Sequence, residues 1–486
     1  MMREDWVEGC FEDLLDYQQP TKYIVKSTEY NDEYETPVLT AGKSFIKGYT
    51  NETDGIFDNL PTIIFDDFTT ASQFVNFKFK VKSSAMKILV PTSGLVNMDF
   101  VYYAMQVNQI RSDTHKRYWI SVYAKKKFLL PSLSEQRAIV AKIETLFSDL
   151  DKGIDDLKTA QAQLKVYRQA VLKKAFEGEL TKQWREQQTN LPAAEALLTQ
   201  IREERRKHCE QQIEGWENVV TAWEENGKEG KKPGKPKGIK SVEEFREIEL
   251  QKMSKIPSFW RWVKLGNTFQ VFVGSTPSRS KPEYWENGEN NWVSSGEVKF
   301  SSIFHTKEKI TNEGLNNTST SVHPVGTVML AMIGEGKTRG QAGILEIEAC
   351  HNQNTAAIRV SQIGFLPKFL FHYLFLKYER NRGIGSGNNQ KALNQSRIMD
   401  FDYPLCSVQE QHQIVREIES RLSVCDSVEQ TITESLEKAK ALRQSILKKA
   451  FEGSLLSPAE IEQCKQAPDY EAASALLDKI KAEKKR

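Results

Sequence analysis

Apolar residues recur with the period of a packed helix in two distant segments, residues 133–180 and 408–455. In the first segment the last four are spaced by seven, which is typical of a helical seam packed against a neighbouring helix. The seam positions are Ile139, Ile143, Leu146, Leu150, Leu157, Leu164 and Val171 in the first segment and Ile414, Ile418, Leu422, Ile432, Ala439 and Ile446 in the second. The pattern predicts two long helices whose narrow apolar stripes are buried against each other.

The two segments are copies of one sequence, placed 275 residues apart. They align without a gap, 19 of 48 positions are identical, and KKAFEG is unchanged at Lys173–Gly178 and Lys448–Gly453. Neither copy contains proline, and the final glycines follow the last apolar turn as C-terminal helix caps do. A helix of about 35 to 45 residues is a rod of about 50 to 65 Å. The duplication predicts two antiparallel helices that form a coiled-coil spacer, with a pseudo-twofold relation between the halves.

The globular segments, residues 1–131 and 256–406, share little sequence but contain short β-type runs in the same order. The paired runs are Pro37–Thr40 and Trp292–Ser295, Thr62–Phe65 and Thr327–Leu330, and Ser84–Ile88 and Thr355–Ile358, followed by aromatic helix-like stretches at Phe100–Met105 and Phe369–Tyr378. We therefore expect an α+β protein with two mixed α/β domains, built on a common scaffold with different loops.

These repeats predict the order of the segments along the chain. Residues 194–207 resemble residues 472–486, so a similar helical tail follows each copy, and the Lys-, Gly- and Pro-rich Gly227–Gly238 predicts a flexible linker. The segments are a first globular domain (1–131), a central conserved helical region (132–180), a helical extension with the linker (181–255), a second globular domain (256–406), a distal conserved helical region (407–455) and a C-terminal helical tail (456–486).

Length and composition narrow the class of protein. A chain of 486 residues exceeds one core and implies about two to four domains. No apolar run reaches the roughly 18 residues of a membrane span, and the acidic start is unlike a signal peptide, so we expect a cytoplasmic protein that does not contact membrane. The six cysteines form no CxxC pair and the seven histidines do not cluster. We therefore expect neither a metal site nor a disulfide framework.

The net charge of +2 conceals an uneven distribution. Residues 1–70 hold 15 acidic and 5 basic side chains, whereas residues 71–130 hold 2 acidic and 10 basic ones. The basic residues include Lys78, Lys80, Lys82, Lys87, Arg117 and the run Lys125–Lys127. A basic surface indicates a polyanionic ligand, although a solvated face explains the charge alone equally well.

Loops in both domains carry side chains that can read DNA bases. Asn and Gln bond adenine, and Arg and Lys bond guanine. Each residue alone is a weak signal, because such residues are common in loops, but their matching positions in the two domains favour DNA contact. The candidate DNA-binding residues are Lys43, Thr69, Thr70, Lys82, Ser83, Ser84, His115, Lys116, Arg117 and Tyr118 in the first domain and Ser295, Lys337, Thr338, Arg339, Asn352, Gln353, Asn354, Ser386, Asn388, Asn389, Gln390 and Lys391 in the second.

One segment of the second domain approximates a phosphate-binding P-loop, but its context disagrees. Ala331–Thr338 has alanine in place of the first glycine, and the residues after it resemble a strand, whereas a P-loop opens a helix. Lys337 and Arg339 are better interpreted as phosphate or base contacts on a loop. No other catalytic motif is evident, so we expect a recognition protein without catalytic residues.

The conserved segments, with EQ…IV…IE and LKKAFEG, and the opening Trp262–Gly266 of the second domain resemble the specificity subunit of type I restriction-modification enzymes. Gly274–Pro277, Tyr284–Trp285 and Trp292 also resemble that family's target recognition domains. The resemblance covers nearly the whole chain. Residues 208–255 depart from it, because they have no counterpart in the C-terminal half.

The resemblance implies a double-stranded DNA-binding subunit that reads a split, asymmetric site, one half per domain, across a spacer set by the helices. It implies two modification subunits that methylate adenine with S-adenosylmethionine, and restriction subunits that use ATP and Mg²⁺ to translocate DNA. We expect no cofactor on this chain itself. The expected docking residues are Gln136, Glu144, Lys173, Lys174, Phe176, Glu177, Gln411, Glu419, Lys448, Lys449, Phe451 and Glu452.

Two alternatives stay open. Phe176 and Phe451 could pack the ends of the helices without touching a partner. The whole chain could instead be a coiled-coil scaffold that joins two protein-binding domains and binds no DNA.

Overall fold

The computed structural model describes residues 3–41, 44–108, 117–229, 232–236, 238, 242–334, 336–360, 364–384 and 392–485. The strands are β1 Val7–Cys10, β2 Leu15–Gln18, β3 Thr36–Leu39, β4 Ile46–Thr50, β5 Thr62–Asp66, β6 Ser72–Val75, β7 Lys80–Val81, β8 Met86–Pro91, β9 Lys127–Leu130, β10 Arg261–Lys264, β11 Gln270–Val273, β12 Asn290–Val293, β13 Ser301–Ile303, β14 Glu308–Ile310, β15 Val328–Ala331, β16 Ala342–Leu345, β17 Cys350–His351, β18 Thr355–Arg359 and β19 Asp402–Leu405. The α-helices are α1 Phe11–Leu14, α2 Met98–Val107, α3 Leu133–Phe176, α4 Lys182–Glu186, α5 Ala194–Glu225, α6 Glu247–Leu250, α7 Leu265–Thr268, α8 Asn312–Asn316, α9 Pro367–Leu376, α10 Tyr378–Gly383, α11 Gln395–Met399, α12 Val408–Phe451, α13 Pro458–Lys465 and α14 Ala473–Lys484.

Both predicted long helices are confirmed. Helices α3 and α12 are each 44 residues long and start at equivalent positions of the repeat. Gly178 and Gly453 follow them with φ of 76° and 75°, a left-handed conformation that glycine adopts without strain. Each helix has a glutamate in its first turn and two lysines in its last turn, which suits the helix dipole at both ends.

The chain divides into two compact units whose borders lie inside the long helices. The first unit is Met1–Gln161 with Gln430–Arg486, and the second is Ala162–Glu429. Each unit therefore combines one globular segment with part of α3 and part of α12. The borders of the units lie inside the helices because both helices share their cores with the globular segments.

Within each unit the two long helices run antiparallel, as predicted. In the first unit, Asp151 pairs with Arg443, and Leu157 lies beside Ala439. In the second unit, Arg168 pairs with Asp426, and Leu172 shares a core with Ile418. In both units, later residues of α3 therefore contact earlier residues of α12. The predicted seam residues are buried near the ends of the helices and buried or half-buried elsewhere. The apolar stripe of each helix is therefore covered by its neighbour and by the adjoining globular segment.

The globular segments have the same sheet plan, as the matching β-type runs predicted. In the first unit the sheets have the strand orders β2-β8-β5-β6, β4-β3-β7 and β1-β9. In the second unit they are β11-β18-β15-β16-β13, β14-β12-β17 and β10-β19. Corresponding pairs have the same direction, including the parallel pairs β3–β7 and β12–β17. Among the described residues, the added β13 is the difference in strand order between the two plans.

A tail helix packs on each globular segment at the same place. Helix α14 lies against β1 and α1, where Lys481 pairs with Asp13 at 3.4 Å. The start of α5 lies near α7, where Arg205 donates to the carbonyl of Gly266 at 3.0 Å. The buried tail residues have equal spacing, namely Ala194, Leu197, Leu198 and Ile201 in α5 and Ala473, Leu476, Leu477 and Ile480 in α14. The similarity of the two tail sequences therefore reflects equivalent packing.

Candidate nucleic-acid interface

In each unit three loops are joined by backbone hydrogen bonds at the residue that follows the central strand. In the first unit the N–H of Asp67 donates to the carbonyl of Ala85 at 3.1 Å, and the N–H of Tyr118 donates to the carbonyl of Asp67 at 2.9 Å. These bonds connect the β5–β6 loop, the β7–β8 loop and the segment before β9. We call these three segments, which are joined at Asp67, the first loop junction.

The second unit repeats both hydrogen bonds at equivalent positions. The N–H of Met332 donates to the carbonyl of Asn354 at 2.9 Å, and the N–H of Leu393 donates to the carbonyl of Met332 at 2.9 Å. Here they connect the β15–β16 loop, the β17–β18 loop and the segment before α11. We call this group the second loop junction. The two junctions hold different side chains on one backbone arrangement.

The side chain of Asp67 also stabilises the first loop junction. It is buried, and its Oδ1 accepts the N–H of Trp119 at 2.8 Å. Its Oδ2 lies 3.9 Å from the ammonium of Lys87, whose pKa is lowered by burial and by the charge of Arg117, whereas Asp67 raises it. The neighbouring Asp66 accepts the N–H of Thr69 at 2.9 Å, which fixes the tip of the hairpin. The loops are thus held by satisfied polar groups.

The first junction brings together most of the predicted residues of its domain that the structure describes. Thr69, Arg117 and the run Lys82–Ser84 are exposed, and Tyr118 is half-buried. Thr70 is buried, with φ of 59°, so its side chain does not lie on the surface that Thr69 occupies, and its contact with DNA stays a prediction. This threonine supports the turn that presents Thr69.

The basic stretch of the first domain is less available than its charge suggests. Lys80 is buried and its ammonium lies 3.1 Å from the carboxylate of Glu52, and Lys87 is buried beside Asp67. Both lysines therefore neutralise part of the acidic N-terminal stretch inside the domain. The lysines at positions 78 and 82 are exposed.

The second junction presents a different set of side chains. Lys337 and Gln353 are exposed, and Ser295, Thr338 and Asn354 are half-buried. The side chain of Gln353 accepts a hydrogen bond from the hydroxyl of Thr276, in the Gly274–Pro277 loop.

Two residues predicted to read bases in the second domain face inward instead. Arg339 is buried and its Nε donates to the carbonyl of Arg382 at 3.1 Å. Asn352 is buried, and its Oδ1 accepts the N–H of Asn354 at 3.0 Å. In this structure both polar groups stabilise the loops, and their contacts with DNA stay predictions. Residue type alone did not distinguish the two uses.

Several predicted residues lie outside the described part of the chain. They are Lys43, His115, Lys116, Ser386, Asn388, Asn389, Gln390 and Lys391. Tyr118 and Leu393, which lie shortly after His115–Lys116 and Ser386–Lys391 in the sequence, belong to the loop junctions.

The rejection of a P-loop is confirmed. Strand β15 ends at Ala331 and pairs antiparallel with β16, which begins at Ala342. Residues 336–340 between them form a turn. The two strands are therefore a β-hairpin, and none of the described residues that connect them begins a helix that could receive a phosphate.

The predicted docking residues divide between core and surface. Gln136 and Gln411 are buried, and each donates its side-chain amide to a carbonyl five residues earlier, at 2.9 and 3.1 Å. Phe176 is buried against Phe369, with ring centroids 5.0 Å apart, and Phe451 packs at the same separation on Phe100. The structure therefore supports the alternative in which the two phenylalanines pack the helix ends. Gln136, Gln411 and Phe176 are corrected to core residues.

The remaining docking candidates are accessible and keep the symmetry of the repeat. Lys173, Lys174, Lys448 and Lys449 are exposed, Glu177 is half-buried, and Glu452 and Glu144 are exposed. Glu419 is half-buried and pairs with Lys368 at 2.6 Å.

Two buried glutamates in the first turns of the long helices were not among the residues predicted from the sequence. Glu410 accepts the indole N–H of Trp260 at 2.8 Å and the hydroxyl of Thr181 at 2.8 Å, and it pairs with Arg185. Its repeat counterpart Glu135 lies 3.1 Å from Arg3, and burial raises the pKa of Glu135. Their identity in the two copies was a signal that these positions are equivalent.

The described residues contain no group of three or more His, Cys, Asp or Glu side chains arranged to hold a metal ion. The six cysteines, all in the described ranges, are unpaired. Among the helices that the structure describes, none combines the length and apolar character that a membrane span requires.

Comparison with known proteins shows the family. The chain belongs to the family described as type I restriction modification DNA specificity domain, whose model matches residues 3–158 and 257–438. It is 27% identical over 452 residues to the type I restriction enzyme EcoR124I/EcoR124II specificity subunit of Escherichia coli, covering 89% of each chain. It is 24% identical over 397 residues to the EcoDI specificity subunit of the same organism, covering 80% of this chain and 77% of the relative.

Solved structures show the same fold. A chain from a study of complex assembly and conformational transition of the type I R-M system matches with a TM-score of 0.61 and 15% identity, covering 94% of this chain and all of that one. The HsdS subunit from Thermoanaerobacter tengcongensis matches with a TM-score of 0.52 and 16% identity, covering 93% of this chain and 98% of its own. Family membership favours DNA recognition over the scaffold that binds no DNA.

Proposed function

We propose that the chain is the DNA-reading subunit of a type I restriction-modification complex and that each loop junction contacts one half of a bipartite site. The observation that carries this proposal is the pair of equivalent backbone hydrogen bonds at Asp67 and Met332. A backbone bond leaves side chains free to vary, so one scaffold can present different readers to different bases. Exposed Thr69 and Arg117 serve the first half-site, and Lys337 and Gln353 serve the second.

Exchange of residues 256–406 for the corresponding segment of another family member tests this assignment. In a complex with its methyltransferase subunits, the hybrid is expected to methylate a site in which one half is new and the other is unchanged. Mapping of methylated adenines across a genome gives both halves and the spacer directly. Exchange of residues 1–131 is the matched control and is expected to alter the other half. A hybrid that changes both halves would contradict the proposal.

We propose that two methyltransferase subunits dock on the equivalent surfaces of α3 and α12. The accessible lysines and glutamates near the helix ends form a charged part of each surface. An apolar part lies further along, because Tyr167 and Leu442 occupy the same repeat position and are 48% and 50% exposed. Val166, beside Tyr167, is 71% exposed. Apolar side chains exposed at equal positions of a duplicated helix suit two copies of one partner.

Aspartate at these positions tests the docking surfaces. Tyr167→Asp or Leu442→Asp is expected to remove one methyltransferase subunit from the purified complex, and the double variant to remove both. The reason is that an unpaired carboxylate resists burial in an apolar interface, at a cost of about 2 kcal/mol or more. Mass measurement by light scattering gives the stoichiometry. Val219→Asp on α5, where valine is 56% exposed, is the control and should leave two subunits bound. Unchanged stoichiometry in the double variant would place docking elsewhere.

The division of chemistry follows from this assignment. Specificity subunits of type I systems are non-catalytic in general, and we propose that this chain supplies DNA recognition and docking alone. S-adenosylmethionine would bind to the methyltransferase subunits, and ATP and Mg²⁺ to restriction subunits. The helices between the two recognition domains would set the spacer length. This assembly would work in the cytoplasm, where it meets DNA.

A further inference from the structure

A cavity of about 500 Å³ lies in the second unit, and its lining does not include Met332, Asn354 or Leu393, which make the bonds of the loop junction. Its walls include four basic side chains, Lys252, Lys377, Arg380 and Arg397, and the aromatic side chains Phe245 and Trp262. A volume of this size is typical of small-molecule sites.

One wall of the cavity comes from the stretch that lacks a counterpart in the C-terminal half. The indole N–H of Trp262 donates to the carbonyl of Ser254 at 3.0 Å. Phe245 lies beneath the ammonium of Lys264, 5.5 Å from its ring centroid. These contacts attach residues 245–254 to strand β10. Residues 245–254, which belong to the stretch without a counterpart in the C-terminal half, therefore form part of this concave surface.

The carboxylates in the cavity already have partners. Asp400 pairs with Lys264 at 3.2 Å. Asp402 accepts the hydroxyl of Tyr373 at 2.8 Å and pairs with Arg380. Of the four basic side chains in the lining, Arg380 pairs with Asp402, whereas Asp400 pairs with Lys264, which is not one of the four. The cavity has an excess of positive charge.

Lys377 carries its ammonium on the wall of the cavity, beside Asp402. Its ammonium lies 3.7 Å from the nearest carboxylate oxygen, on Asp402, and 5.9 Å from the ring centroid of Trp262. The side chain is 23% exposed. Burial lowers the pKa of Lys377, whereas the charge of Asp402 raises it. An anion bound beside this ammonium at hydrogen-bond distance would be a closer partner than Asp402.

We propose that this cavity binds a phosphate group, held by Lys377 and the neighbouring basic side chains and flanked by the face of Trp262. Arginine and lysine together suit phosphate oxygens, and an aromatic face beside them suits a nucleobase. The phosphate has two possible sources, a free nucleotide or the phosphodiester backbone of bound DNA. The second source rests on the proposed function, whereas the first does not.

Calorimetric titration of the full chain with inorganic phosphate and with AMP tests the site. Binding of AMP is expected, and Lys377→Met should weaken it at least 10-fold, because the variant keeps the length of the side chain and removes its charge. Lys368→Met is the matched control on helix α9, where the lysine is exposed and pairs with Glu419, and it should bind like the wild type. Trp262→Phe should weaken AMP more than inorganic phosphate if the base stacks there.

Duplex DNA distinguishes the two sources. If duplex displaces AMP, and Lys377→Met lowers the salt dependence of duplex binding by about one phosphate contact, the backbone of DNA is the occupant. If AMP binds equally with and without duplex, a free nucleotide is the occupant. Equal titrations of Lys377→Met and Lys368→Met with phosphate, AMP and duplex would overturn the proposal. That result would leave the proposed function intact, because the proposed function is tested separately, by the half-sites that are methylated after domain exchange.

Discussion

Replacing Glu410 by alanine is expected to destabilise the second unit by about 3 to 5 kcal/mol, the usual cost of breaking a buried ion pair by removing one partner. Glu410 is fully buried at the start of α12 and accepts hydrogen bonds from Trp260 and Thr181 while it pairs with Arg185. Alanine would leave the buried indole N–H of Trp260 without its acceptor and the partly buried guanidinium of Arg185 without its carboxylate. The change also removes the contact that joins α12 to the segment after α3.

Hydrogen exchange followed by mass spectrometry locates this effect. Peptides from β10 to β19 and from the first turns of α12 should lose protection in Glu410→Ala, whereas peptides of the first unit should not. Thermal unfolding should show a lower transition for the second unit alone. Two transitions are expected in the wild type, because the chain has two compact units.

A matched control separates the buried pair from the general loss of a carboxylate. Glu417 lies two turns further along α12, half-buried, and its pair with Arg421 at 3.2 Å is at the surface. Because surface pairs contribute about 0 to 1 kcal/mol, Glu417→Ala should change stability little. Equal losses of unfolding free energy in Glu410→Ala and Glu417→Ala would show that the buried ion pair stabilises the second unit no more than the surface pair does.

The long helices could be predicted because their pattern is local and repeated. A seven-residue spacing of apolar positions, such as Leu150 to Leu157, already states which face must be covered, and the second copy repeats it. Gly178 and Gly453 likewise predicted where the helices end, because glycine readily adopts the left-handed conformation that follows a helix. The paired β-type runs predicted the sheet plan for a similar reason, since their order is retained in both domains.

The loop junctions could not be predicted from residue type. Their hydrogen bonds use the backbone, and the residues that make them, Asp67 and Met332, have unrelated side chains. The sequence also did not predict which loop side chains face solvent. Asn352 and Gln353 are adjacent polar residues, yet Asn352 is buried and Gln353 is exposed. A polar residue in a loop serves either the fold or a ligand, and the choice depends on neighbours that are distant in sequence.

The lysines of the first domain illustrate the same difficulty for charge. The sequence showed an acidic stretch followed by a basic one, which was compatible with a basic ligand-binding surface. The structure folds the two stretches together, so that Lys80 neutralises Glu52 and Lys87 lies beside Asp67. Among the described residues, exposed charges such as Lys82 and Arg117 stay available to a polyanion.

Replacing Gly274 by alanine is expected to disrupt the second half of DNA recognition while it leaves the first half in place. A Cβ at this position would lie 1.9 Å from the carbonyl oxygen of His351, which already accepts the N–H of Ser275 at 3.0 Å. Backbone atoms cannot turn aside as a side chain can, so the Ser275–Thr276 segment must move away from the sheet. The expected cost is about 3 kcal/mol, at the upper end for an overpacked site.

The displacement should reach the proposed DNA surface through Thr276, whose hydroxyl donates to Gln353. Methylation by the reconstituted complex should lose selectivity in the half-site read by the second domain, and selection of the other half should persist. Gly296→Ala is the matched control, because no atom lies within 4 Å of the added Cβ and its stability and methylated sequence should be those of the wild type. If Gly274→Ala retained both half-sites, the close approach of this loop to β17 would be dispensable for recognition. Selective loss of one half would instead tie sequence reading to the backbone geometry that the two domains share.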